Sequence, residues 1–136
     1  MQPVSRPLAL AVLTLLLVFL SGCHKTPADS GPQYILLMYN NGDCTQNGGT
    51  NIVDIHPNQP VIYQTATLQR EFKIDLASCP FTAGNCPVDS PNDRSVNVGA
   101  PLASGVGSTF MYTGMMIDNE PCKGANSMGL RVRPAP

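Results

Sequence analysis

In a chain of 136 residues with only 12% charged side chains, chemistry has few places to reside: two histidines, five cysteines, six methionines and nine carboxylates. His24 lies near the N-terminus, which leaves His56, just before Pro57, as the only candidate general base in the body of the chain. A serine hydrolase needs a nucleophile motif such as Gly-x-Ser-x-Gly, and Gly105-Val106-Gly107-Ser108 lacks it. His56 therefore reads as a turn histidine. Asp118 and Glu120 occupy alternate positions and would share one face of an extended chain, but a glycosidase requires two carboxylates at a set separation across a cleft. They read as turn or rim residues. Asp89 with Asp93, and the Asn and Asp cluster at 40–47, offer oxygen ligands for calcium without the alternating ligand pattern and closing glutamate of a calcium loop. Turn formation explains both better.

The remaining candidate is the run Phe110-Met111-Tyr112-Thr113-Gly114-Met115-Met116. Thioethers bind soft Cu(I), and on a regular strand Met111 and Met115 share a face. A cupredoxin copper site also needs a cysteine and two histidines, and no Cys-x-His-x-Met run occurs. Methionines that fill a core are the default expectation. A copper carrier using Met111, Met115 and Met116 stands as the alternative, and no cofactor is otherwise expected. Formal charge is −1, with no run of like charges, so nothing supplies the basic footprint a nucleic-acid partner requires.

The elements that position these residues start after a distinct leader. Met1–Pro7 carries one cation, Arg6, and Leu8–Leu20 is 13 residues interrupted only by Thr14. A membrane-spanning helix needs roughly 20 apolar residues, so this run has the length of a secretory signal. It ends in Leu20-Ser21-Gly22-Cys23, which resembles the lipobox of bacterial lipoprotein precursors. That resemblance covers only the first two dozen residues. It implies cleavage before Cys23, acylation of the Cys23 thiol, and membrane attachment through the acyl chains. It also implies, in a Gram-negative cell, sorting to the periplasmic face of the outer membrane, because His24 rather than Asp follows the cysteine.

Removal of residues 1–22 leaves 114 residues and four cysteines, Cys44, Cys79, Cys86 and Cys122. An even count in an exported chain reads as two disulfides, with three connectivities open to sequence alone. The expected pairs are Cys79 with Cys86, around a Pro- and Gly-containing loop, and Cys44 with Cys122. No Cys-x-x-Cys spacing or nearby histidine points to zinc.

Residues 23–32 are small, polar and carry two prolines, as a flexible tether would. From Gln33 to Pro136 turn clusters separate strand-like runs at 34–39, 51–56, 94–98, 108–118 and 128–133, the last with Met128, Leu130 and Val132 inward and Arg131 and Arg133 outward. Val61–Ala77 alternates with period two, its even positions (Ile62, Leu68, Phe72, Ile74) being the more apolar, and counts as two strands. Seven strands without a convincing helix predict an all-β, two-sheet β-sandwich of immunoglobulin-like or cupredoxin-like type. The functional expectation is a non-catalytic, membrane-anchored binding or envelope-structural module. An inhibitor or immunity-type protein facing an envelope or cell-wall partner is its specific version.

Overall fold

The structure, a computed structural model, describes residues 31–66, 70–91 and 95–135. The leader, Cys23 and tether residues 24–30 lie outside them, as do Leu68, Asp93 and Arg94. Ten strands form among the described residues: β1 (Gln33–Asn40), β2 (Asp43–Gln46), β3 (Ile52–Ile55), β4 (Val61–Thr65), β5 (Phe72–Leu76), β6 (Val88–Ser90), β7 (Val96–Gly99), β8 (Thr109–Ile117), β9 (Glu120–Pro121) and β10 (Gly129–Val132). Two single 3₁₀ turns, Ala103–Gly105 and Ala125–Ser127, complete the elements. Sheet A has the order β2-β1-β4-β7, and sheet B the order β3-β10-β8-β5-β6 with β9 paired to β8. The chain is a two-sheet, all-β sandwich. Both sheets are mixed, since β1 runs parallel to β4 and β3 parallel to β10. The antiparallel sheets of the immunoglobulin form are therefore not reproduced here.

The core lies between the sheets, where Ile35, Leu37, Val61 and Tyr63 of sheet A meet Ile74, Ile117, Leu130 and Val132 of sheet B. Each seven-strand expectation has a counterpart; β2, β6 and β9 are additional. They are short and mostly polar (Asp43-Cys44-Thr45-Gln46, Val88-Asp89-Ser90 and Glu120-Pro121), so no apolar alternation marks them. β2 exists because Asn41 and Gly42 adopt positive φ (51° and 90°), which closes a two-residue hairpin whose twist matches its strands. The β10 phase is as expected: Met128, Leu130 and Val132 are buried while Arg131 and Arg133 face solvent.

The even-inward phase of Val61–Ala77 holds for Phe72 and Ile74 in β5 but is reversed in β4. There Val61 and Tyr63 are fully buried, and Ile62 and Gln64 face outward. The two strands belong to opposite sheets, so one phase cannot serve both.

The cysteines pair as Cys44–Cys122 and Cys79–Cys86, with Cα separations of 5.3 and 5.9 Å. The first bond crosses the sandwich: Cys44 sits on the edge strand of sheet A, and the Cys122 N–H donates to the Met115 carbonyl of β8 in sheet B. The second closes the β5–β6 loop, where it holds Phe81, 1% exposed, against the core.

Candidate functional site

The residues singled out from sequence do not converge. His56, half-buried just after β3, donates from Nδ1 to the Pro134 carbonyl at 2.7 Å. A carbonyl can only accept, so Nδ1 carries the proton, and the imidazole secures the C-terminal tail to β3. Asp118 and Glu120 do not share a strand face as an extended chain would have it. Asp118 and Asn119 adopt φ of 52° and 62° in the tight β8–β9 turn, where Asp118 pairs with Arg70 at 3.2 Å. Asp89 is an exposed residue of β6, and the 40–47 cluster forms the β1–β2 hairpin and the turn after it. In that turn the Asn47 side-chain oxygen accepts from the Leu36 N–H. No group of three or more His, Cys, Asp or Glu side chains able to hold a metal occurs among the described residues.

The methionine geometry departs from expectation. β5 pairs Asp75 with Gly114 and then Leu76 with Tyr112, so Thr113 is an extra residue on β8, a β-bulge. The bulge inverts the alternation, with Tyr112, Met115 and Ile117 all buried. Met111 and Met115 consequently lie on opposite faces. Met115 packs in the core at 2% exposure, while Met111 covers Gly129, its register partner on β10. A Cβ on Gly129 would stand 2.5 Å from the Phe110 carbonyl oxygen, so this close crossing of β8 and β10 requires glycine. At the bulge, β8 and residues 121–126 border a shallow groove of about 480 Å³ lined by Asp75, Thr113, Met116 and Asn126.

A buried polar network, absent from the sequence reading, ties the sheets together. The Tyr112 hydroxyl donates to Gln46 Oε1 at 2.7 Å and accepts from the Tyr63 hydroxyl at 3.1 Å. Gln46 Nε2 donates to the carbonyls of Asn51 (2.7 Å) and Gly129 (3.0 Å). Burial pushes both phenols well above the usual tyrosine range, so neither titrates near neutral pH. All three side chains are at most 1% exposed, which makes the network a structural clamp that no substrate can reach.

The outer faces of the two sheets differ sharply. On sheet B, Arg131 makes a two-pronged ion pair with Asp54 (2.6 and 3.1 Å), Arg133 joins it at 3.3 Å, and Lys73 pairs with Asp75. Hydrogen bonding from Arg131 is the main force holding the Asp54 carboxyl below its ordinary 3.8, against the opposing effect of desolvation. A depressed folded-state pKa stabilises the fold above 3.8, and that contribution is lost as pH falls through the lower folded value. Asp54→Asn should therefore flatten the acid limb of a stability–pH curve below about pH 4. It should move the neutral-pH midpoint little, since half-exposed pairs contribute under about 1 kcal/mol. Thermal melts across pH 2–7 of the two proteins test this.

Sheet A turns a different surface outward. Tyr34 (49% exposed), Leu36 and Met38 (42%) line β1, beside Ile62 and Gln64 on β4, Asn97 on β7 and Thr45 on β2. Tyr34 is in register with Ile62, Leu36 with Gln64, and Met38 with Thr45. Asp43, at the far end of β2, is the only charged residue on this face among the described residues. The apolar side chains sit in its centre. Sequence reasoning missed the patch because the β4 phase had placed Ile62 in the core. Comparison with family models, curated proteins and solved structures finds no match to this chain.

Proposed function

We propose that this chain is a lipid-anchored, non-catalytic module of the bacterial cell envelope, exported, cleaved before Cys23 and held by a short tether. The observation that carries the reading is the sequence Leu20-Ser21-Gly22-Cys23 placed directly after the 13-residue apolar run Leu8–Leu20. The cysteine inventory supports it, since the four thiols beyond Cys23 are all committed to disulfides, as suits an oxidising compartment. The binding role is supported by what the domain offers. Its one histidine beyond the tether serves a backbone carbonyl, and its buried phenols are sealed from solvent, whereas a sheet face with an apolar centre stands open.

Cys23→Ala is the direct test. Expressed in a Gram-negative host, the parent should sediment with membranes, gain mass from acyl chains and incorporate labelled palmitate. The variant should lose the label and the attachment together, while its domain, disulfide-bonded independently of Cys23, keeps the parent's thermal midpoint. An unacylated parent, or a variant that still sediments after a high-salt wash, would rule the anchor out.

A further inference from the structure

We infer that the outer face of sheet A rests on the lipid surface to which Cys23 is anchored, which fixes the orientation of the domain on the membrane. The inference rests on the anchor proposed above and names what that anchored module touches.

Three observations carry it. The first is where the tether enters: Gln33, the first residue of β1, lies only ten positions after Cys23, and the next residue, Tyr34, already lies on the apolar centre of the face. A segment of that length spans at most about 35 Å even when fully extended. The face bearing Tyr34, Leu36 and Met38 is thus held within reach of the bilayer. At the roughly millimolar effective concentration of a short tether, even a contact with a millimolar dissociation constant would be about half occupied, so a small apolar patch is sufficient.

Second, the chemistry of the face suits a lipid interface. Tyrosine combines an apolar ring with a hydroxyl and prefers the headgroup level, while Met38, Leu36 and Ile62 supply the aliphatic contact. Because no described residue at the centre of the face is a cation, the contact would not depend on anionic lipid. The opposite face, closed by the Asp54–Arg131 and Lys73–Asp75 pairs, would be costly to bring against acyl chains. Third, the patch is too small for the obvious rival. A stable face-to-face dimer buries about 800 Å² on each partner, and four partly exposed apolar side chains ringed by Gln64, Asn97 and Thr45 fall short of such a core.

In this orientation the charged face of sheet B and the groove beside Met116 point away from the membrane, toward any envelope partner.

The chain has no tryptophan, so Tyr34→Trp installs a single reporter on the face, and Thr109→Trp one on the opposite side of the sandwich. Each mature, acylated variant is reconstituted in phosphatidylcholine vesicles, plain or brominated in the acyl chains. The Tyr34 reporter should emit at shorter wavelength than in the non-acylated protein and lose roughly half its intensity to brominated lipid, the Thr109 reporter neither. Adding Met38→Glu to the Tyr34 reporter should restore solvent-like emission. Solvent-like emission from the Tyr34 reporter on floated vesicles would overturn the orientation while leaving the anchor intact. A blue shift without bromine quenching would also overturn it, in favour of cover by protein. Failure of the parent to float with vesicles would defeat the anchor itself, and this inference with it.

Discussion

Replacing Cys44 and Cys122 together by alanine is expected to lower the thermal unfolding midpoint by about 15–20 °C, the larger of the two disulfide effects. The bond closes a ring spanning residues 44–122, most of the described domain. Loop-closure entropy for a ring of that size corresponds to about 4.5 kcal/mol, against about 2.5 kcal/mol for the short Cys79–Cys86 ring. Native contacts point the same way. Beside the bond, the Lys123 N–H donates to the Gly42 carbonyl at 2.8 Å, and Asp43 forms an isolated bridge with Lys123. Those contacts join the edge of sheet A to the segment that follows β9. Without the covalent link, this edge of the sandwich would keep a backbone hydrogen bond near the surface and the buried bonds of Gln46, with nothing to restrict the unfolded chain. Circular-dichroism melts of the Cys44→Ala/Cys122→Ala and Cys79→Ala/Cys86→Ala proteins under non-reducing conditions make the comparison. A larger loss from the short ring would mean that seating Phe81, rather than restricting the unfolded chain, is what the disulfides contribute.

How far the sequence discloses this molecule depends on whether a feature is encoded locally. The strand at 128–133 could be placed with its correct face because Met128, Leu130 and Val132 alternate cleanly with two arginines, and nothing interrupts the strand. Asn41-Gly42 marked a turn for reasons confined to the backbone: both residues tolerate positive φ. The disulfide pairs could be chosen because ring size and turn content are properties of the chain itself. Three features were hidden because they are decided across the sandwich. The bulge at Thr113 arises from how β8 meets β5, and it separates Met111 from Met115 although their spacing suggested a shared face. The reversal of phase in β4 follows from its membership of sheet A, and it exposes Ile62, an isoleucine that in isolation belongs in a core. Gln46, a polar residue in a polar stretch, is fully buried because its partners come from residues far away in the chain. The candidate interaction surface was therefore less legible than the fold.

Gln46→Leu should cost about 3 kcal/mol. Leucine matches the glutamine in bulk but makes none of its three hydrogen bonds. The Tyr112 hydroxyl would lose the acceptor that fixes its direction, and the Gly129 carbonyl a donor at 3.0 Å, both in a region closed to water. Tyr63→Phe removes a single bond at the end of the chain, so about 1 kcal/mol is expected from it. Urea titrations at constant m-value would measure both, and a cycle of Gln46→Leu, Tyr112→Phe and their double variant separates two accounts of the network. If the network is a connected clamp, the double variant loses less than the sum of its parts, because once the phenol is gone the missing amide strands one group fewer. Strict additivity would instead mean that Gln46 acts alone through its bonds to Asn51 and Gly129, stitching β2 to the start of β10 with Tyr112 merely packed alongside.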